Sequence, residues 1–341
     1  VSPRTRLGLL LALLAAALAY AGIDQCRGAL APYRGYDGDS AVVVVPQGAW
    51  PSRVASILAD AGVLRGRLPF TLLARVRGVS GKLQAGEYLF DRPMTPWEVL
   101  DKVVRGEVVL HRVTIPEGLT GLETLDRIVR ARLVRRADLD AAFRDPAPIR
   151  DLDPEARDLE GYLFPETYRF PRGTSARRIL EEMVARFREV YAEAAAARAR
   201  ELGMTPRQVA TLASLIEEET SVPGERARVS AVFHNRLRLG MPLQCDPTVL
   251  YALTAAGRPP AELTRSHLEF ASPYNTYVVT GLPPGPIASA GRASIEAAVR
   301  PDPVKDLYFV ADGTGGHTFS VSLEDHERAV ARYRRLKRMG A

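Results

Sequence analysis

Three adjacent acids, Glu217, Glu218 and Glu219, follow the run Leu212-Ala-Ser-Leu-Ile216 and precede Thr220. Acids that close a helix usually form a solvated cluster, so helical phase must decide whether one of them differs. At about 100° per residue, with Val209 at zero, Leu212, Ala213, Leu215 and Ile216 span an arc from about 240° to about 40°. Glu218 falls at about 180° and Glu217 at about 80°, both outside that arc and toward solvent. Glu219 falls at about 280°, among the leucines.

A carboxyl on that face is desolvated, which disfavours its anion. The negative end of the helix dipole and the charges of Glu217 and Glu218 act in the same direction. The result is an acid protonated near neutral pH, the state a general acid needs. A second reading pairs Glu219 with Arg226 or Arg228 in a purely structural role. The helix alone leaves both open.

Other chemistry lacks its spacing. The histidines His111, His234, His267, His317 and His326 are scattered, with no His-Glu-x-x-His, so no metal site is expected. Neither a Gly-x-Ser-x-Gly elbow nor a Gly-x-Gly-x-x-Gly loop after a strand occurs, and no cofactor is expected. What remains is a set of polar and aromatic loops after the glutamates. They are "FHNRL" with Asn235, "LQCDPT" with Gln244 and Asp246, and "SPYNTY" with Tyr274, Asn275 and Tyr277. Tyrosine and asparagine side chains suit sugar hydroxyls and acetamido groups. Taken singly, each reads as a turn or cap, and Asp246 before Pro247 reads as an N-cap.

The elements that must position these residues carry clear signals. Thr205 as N-cap and Pro206 at the first helical position open the glutamate helix, and Pro223-Gly224 closes it. The next helix runs to Gly240, and another starts at Asp246-Pro247 and passes through Leu253. Upstream, Thr174 or Ser175 caps a long Ala/Arg/Glu helix to about Leu202. The aromatic segment 159–173 reads as an ordered wall rather than a helix. A hairpin is expected over 306–321, followed by a last helix capped by Ser322. Nearer the start, the chain reads strand, Pro-x-Gly turn, helix, short helix at 70–77, then the strand "LQAGEYLF". Residues 43–58 align without gaps on 113–128, with Pro46 on Pro116 and Gly48 on Gly118. This weak repeat predicts two similar strand–turn–helix units packed side by side.

A chain of 341 residues has room for about two domains. With 46% hydrophobic and 25% charged residues it is globular, and its net charge of +6 fits an anionic neighbourhood. No basic block interleaved with aromatics is present, so nucleic acid is not an expected partner. After Arg4 and Arg6, Leu7–Ile23 carries no charge. As a helix it is about 26 Å long, the short end of a membrane span with a cytoplasmic N-terminus. The same residues fit a signal peptide cut after Ala19-Tyr20-Ala21. Both readings export the body of the protein. Cys26 and Cys245 are the only cysteines, which excludes a disulfide framework and leaves a single bridge open.

Several motifs in order, "LASLIEEET", "VFHNRL", "GMPLQCDPTVLYAL", "SPYNTYVVTGLPPGPIA" and "LYFVADGTGGHTFS", resemble the endolytic murein transglycosylases (MltG/YceG-like). The resemblance covers roughly residues 42–335 and includes "EGYLFPETY" at 160–168. It implies an α+β protein with an N-terminal membrane helix at 1–24, retained rather than cleaved, and a linker at 25–40. A LysM-like glycan-binding module at 41–108 and a mostly helical catalytic domain with a small hairpin at 109–337 follow.

The family's catalytic glutamate is the last before the threonine, which falls on Glu219, the residue chosen by helical phase. The family commonly has lysine where Glu218 stands, and often threonine where Cys245 stands. The implied reaction cleaves the β-1,4 bond from N-acetylmuramic acid to N-acetylglucosamine inside nascent strands, leaving 1,6-anhydro ends. Glu217, Asn235, Gln244, Asp246, Tyr274, Asn275 and Tyr277 are the expected glycan contacts. The implied partners are peptidoglycan strands, the membrane and peptidoglycan synthases, with no metal. Two other classes stay open: a lysozyme-type hydrolase using Asp246 or Glu225 as a second carboxylate, and a non-catalytic glycan-binding scaffold.

Overall fold

Short β-branched and aromatic runs bounded by Pro and Gly form the strands, and capped helices fill the rest, in a computed structural model that describes residues 27–339. The expected anchor at 1–24 and Cys26 lie outside the described residues. Among the described residues, no helix is long and apolar enough to cross a membrane. The architecture is α+β, mostly helical, with three two-stranded sheets among the described residues.

Two compact units divide the chain. The first reaches His111 and includes Pro171–Gly173; the second comprises Arg112–Phe170 and Thr174 onward. In the first, β1 (Ala41–Val45) pairs antiparallel with β2 (Gly86–Phe90), in register Val43 with Tyr88. Alternation along β1 sends Val43 and Val45 inward and leaves Val42 and Val44 exposed. Helices α1 (Pro51–Asp60) and α2 (Arg67–Val76) bury Val54, Leu58, Phe70 and Ala74 against that sheet's core face. A helix not foreseen, α3 (Pro96–Arg105), is set by a capping box between Thr95 and Glu98 and stopped by Gly106 in the left-handed region.

The second unit contains α4 (Gly121–Arg130), α5 (Arg136–Phe143), α6 (Ala176–Ala194), α7 (Ala196–Glu201), α8 (Pro206–Glu219), α9 (Arg226–Leu239), α10 (Asp246–Ala255), α11 (Arg292–Val299) and α12 (Leu323–Met339). Strand β3 (Leu110–Thr114) pairs with β4 (Thr167–Pro171), and the hairpin β5 (Tyr308–Ala311) and β6 (His317–Ser320) stands before α12. At the centre, Val209, Leu212, Ala213, Leu215 and Ile216 of α8 are buried with Ile295, Ala298 and Val299 of α11. Burying a side chain of this size contributes roughly 1.5–3 kcal/mol, so the central position of α8 holds its C-terminal end firmly.

The repeat is present as structure. The helices that follow the two Pro-x-Gly turns occupy equivalent positions, Pro51–Asp60 and Gly121–Arg130, and both Gly48 and Gly118 take positive φ. Each copy lies in a different unit with its own partner strand. One reading needs correction, and a second gains a strand. The long helix breaks at Ala195, whose φ of −130° interrupts an alanine run that carries no sequence breaker. The segment 159–173 ends in β4, with Tyr168 and Phe170 alternating inward.

Candidate active site

Helix α8 starts at the expected N-cap, and the cap is extended to a box: Thr205 Oγ1 accepts the Gln208 N–H, and Gln208 Oε1 accepts the Thr205 N–H. Its C-terminus delivers the three acids into three different settings. Glu217 is not solvated. Its side chain is 7% exposed, Oε2 accepts the Gly291 N–H at 2.8 Å, and Oε1 lies 3.4 Å from Arg226. The helical wheel put it outside the apolar arc and toward solvent, but the start of α11 and Arg226 cover that side of the helix. Arg228 reaches Asp306 at 2.7 Å. Both arginines that could have neutralised Glu219 are therefore committed to other carboxylates.

Glu218 is exposed, as its phase predicts. Desolvation and the charges of Glu217, Glu123 and Glu219 push its carboxyl up to about 7, although its contact with water screens those charges. Glu219 is largely enclosed. Burial raises it to about 7 and Asp246 pushes the same way, while the Cys245 thiol, His317 and Arg236 pull it back. A carboxyl so placed holds its proton up to neutral pH and can release it there.

The surroundings of Glu219 come from three segments. Burial pushes the Cys245 thiol well up, so it faces Glu219 as a neutral S–H donor. Cys245 is held by a buried threonine pair: its N–H donates to Thr276 Oγ1 at 3.0 Å, and Thr248 Oγ1 donates to its carbonyl at 2.7 Å. Asp246 is the first residue of α10 rather than a cap, and its carboxylate accepts the Tyr277 hydroxyl at 2.5 Å. Gln244 adopts φ +53°, and its Oε1 accepts Arg236 Nη1 at 3.1 Å.

Arg236 escaped the sequence reading. It is buried, donates to the carbonyls of Leu307, Pro242 and Leu243, and lies over the Tyr308 ring. Its signal was spacing: Val229, Phe233 and Arg236 recur as i, i+4 and i+7, which places a cation on the apolar face of α9. His317, read as scattered, has its Nδ1 2.7 Å from Glu225 Oε2, and its N–H donates to Glu225 Oε1 at 2.8 Å. Thr220 donates to the same Glu225 carboxylate. The two acids that could serve as a second carboxylate, Asp246 and Glu225, are thus both engaged.

Of the expected glycan contacts, Glu217 is committed to Arg226 and the Gly291 N–H, and three more lie elsewhere. Asn235 is buried and its Nδ2 donates to the Val304 and Asp306 carbonyls, so it clips α9 to the segment before β5. Asn275 is fully buried, donates to the Leu268 and Phe270 carbonyls, and accepts the Tyr277 N–H. Both were misread for one reason: an amide that looks suited to a ligand is as well suited to the carbonyls of irregular segments, whether near in sequence, as for Asn275, or far, as for Asn235. Tyr274 packs on Tyr251 and lines a separate cavity with Glu160 and Arg207.

Comparison with known proteins gives a consistent result. The model of the YceG-like family matches residues 43–332. The endolytic murein transglycosylase of Bacillus subtilis (strain 168) is 35% identical over 305 residues, covering 85% of this chain and 83% of its own. That of Streptococcus pneumoniae (strain D39) is 30% identical across 95% of this chain and 63% of its own length. The crystal structure of a yceG-like protein from Listeria monocytogenes superposes with a TM-score of 0.58 at 35% identity, over 85% of this chain and 98% of that one.

Proposed function

The chain belongs to the YceG-like family, and from that premise we propose that it is an endolytic murein transglycosylase in which Glu219 moves the protons. The observation that carries the assignment to Glu219 is its setting: an enclosed carboxyl at the end of α8, raised to about 7, with no salt bridge to it among the described residues. Glu219 protonates the oxygen that links N-acetylmuramic acid to N-acetylglucosamine, and the C1–O bond breaks. The muramyl 6-hydroxyl attacks C1 and passes its proton to the Glu219 carboxylate. A 1,6-anhydro end forms, no water is consumed, and the enzyme returns to its starting state. One carboxyl suffices because the nucleophile belongs to the substrate, unlike hydrolysis, which needs an acid and a second carboxylate. The commitment of Asp246 to Tyr277 and of Glu225 to His317 favours this reading over a lysozyme-type hydrolase.

Around Glu219, Gln244, Asp246 and Tyr277 are the residues placed to meet the sugars. We assign the first unit, strand–helix–helix–strand, to glycan binding in the manner of a LysM module. The catalytic unit works outside the cytoplasmic membrane, held there by residues 1–24; the uncharged run after Arg4 and Arg6 supports this. Such an anchor brings the site beside peptidoglycan synthases and newly made strands, whose elongation the cleavage terminates.

Mass spectrometry of the products from purified, uncrosslinked glycan is the test. Anhydro-muramyl ends from the wild-type protein are expected. Reducing muramyl ends would sink the transglycosylase and favour hydrolysis.

A further inference from the structure

The second unit holds a cavity of about 510 Å³ that the chemistry at Glu219 does not use. Its walls include Tyr251, Tyr274, Pro273, Pro286, Glu160 and Arg207. The two tyrosine rings lie 4.9 Å apart at 48°, and both are half-buried. Pro286 closes one side against Gly161, which has φ +76°; a Cβ there would stand 2.2 Å from Pro286 Cβ. The Glu160–Gly161–Tyr162 stretch is thereby built into the wall.

Three ionic groups of the cavity, Arg207, Asp153 and Glu160, are held by the fold. Arg207 Nη1 lies 2.9 Å from both oxygens of Asp153, and its Nε donates to the Pro284 carbonyl at 2.6 Å. Asp153 also accepts the Tyr162 hydroxyl at 2.7 Å. Glu160 accepts the Gly121 N–H at 2.8 Å. The lining carries four acids, Asp153, Glu155, Asp158 and Glu160, against two cations, Arg157 and Arg207, so it does not favour an anionic ligand. Aromatic and proline faces interspersed with hydroxyls and carbonyls instead suit an uncharged ring that is apolar on its faces and polar at its edge.

Two segments connect this cavity to the acid. Helix α10 places Asp246 beside Tyr277 and Glu219, and Tyr251 in the cavity, about 7.5 Å further along its axis. The loop pinned by Asn275 places Tyr277 with Asp246 and Tyr274 in the cavity. Along α8, Arg207 and Glu219 are separated by about 18 Å. The cavity is therefore beyond the two sugars of the scissile bond but within reach of the same polymer.

We propose that this cavity is a distal subsite that holds one N-acetylated hexose of the glycan strand, several sugars away from the bond cut at Glu219. The identity of the polymer rests on the transglycosylase reading. The subsite selects long strands over short oligomers, as an enzyme cutting inside strands requires.

Binding is measured with the full chain carrying Glu219→Gln, so that no turnover intervenes. The probes are uncrosslinked glycan strands freed of stem peptides and a muramyl tetrasaccharide. Tyr274→Ala in that background is expected to weaken strand binding about tenfold, the scale of one aromatic contact, and to leave the tetrasaccharide Kd unchanged. Tyr274→Phe keeps the ring and should bind strands nearly as before. Gly285→Val tests the same site by filling it, since the added Cβ would start 3.4 Å from both Tyr274 Oη and Arg207 Nη2. Unchanged strand affinity in Tyr274→Ala and Gly285→Val overturns the proposal, as does an equal loss for strand and tetrasaccharide. Absence of anhydro ends from the wild-type enzyme would remove the reaction assignment and leave a selective strand-binding loss standing.

Discussion

Two carboxyls in the second unit, the buried Glu160 and the largely enclosed Glu219, are both pushed far above the ordinary range by desolvation, to about 8 and about 7. Their surroundings differ in kind. Glu160 accepts the N–H of Gly121 at the start of α4, a further backbone bond from Gly161, and the Tyr251 hydroxyl. Glu219 has one weak partner, the Cys245 thiol, and a ring of groups each fastened to something else. Burial with a raised proton affinity therefore does not by itself mark a catalytic acid. What separates the two is whether the lone pairs are already occupied by the fold. Glu217 adds a third case: enclosed as well, it is satisfied by Arg226 and the Gly291 N–H.

The sharpest way to break this contrast is at the acid itself. Glu219→Gln keeps the size and removes the proton, and release of anhydro ends should fall at least about 10³-fold, near the upper part of what general acid catalysis contributes. Retention of more than a tenth of the wild-type rate would show that another group supplies the proton. Glu218, exposed and raised to about 7, would then be the first alternative.

Stability should move in opposite directions at the two carboxyls. Below an unfolded value near 4.5, Glu219 is protonated in both states and contributes no penalty. As pH rises from there, the unfolded chain ionises while the folded one keeps its proton, so stability is lost until pH passes about 7. The accumulated cost is of the order of 3 kcal/mol, at about 1.4 kcal/mol per unit. Glu219→Gln removes it, so denaturant melts should show a variant more stable than wild type at pH 8 and indistinguishable from it at pH 4. At pH 4, where Glu160 is likewise protonated and carries no ionisation penalty, Glu160→Ala leaves the Gly121 N–H without its acceptor and should lose about 1–3 kcal/mol. A Glu219→Gln variant that is less stable at pH 8 would mean that its carboxylate is held by the fold after all.

Legibility in the sequence followed the range of the interactions. Helix α8, its N-cap at Thr205 and the inward phase of Glu219 are local, and each was readable. The hairpin, the stop at Gly240 and the repeated strand–turn–helix were readable for the same reason. Glu217 was misjudged because Arg226 and Gly291 complete its setting from other elements. Asn235 and Asn275 were misjudged because the carbonyls they hold lie in loops. Glu160 was missed as an acid among aromatics, although an ionisable residue between Leu159 and Gly161 in an apolar segment was itself a signal. β4 was hidden by the prolines that bracket its aromatic run.

The smallest expected effect lies in the one bond that Glu219 does accept. Activity requires protonated Glu219, so kcat/KM should fall as pH rises through about 7. The Cys245 thiol favours the anion and thus sets that limb lower than burial and Asp246 alone would. Cys245→Ala deletes the donor, and the limb should move to higher pH, with a rate at pH 8 about two- to threefold above wild type when each is scaled to its own rate at pH 6. Cys245→Ser supplies a stronger donor in nearly the same place, still held by Thr248 and Thr276, and should move the limb to lower pH. His317 and Arg236 act on Glu219 in both variants alike, so they cannot produce opposite shifts. If alanine and serine moved the limb the same way, Cys245 would be a space-filling residue beneath Glu219. Opposite shifts make it a positioning residue that tunes when the acid gives up its proton.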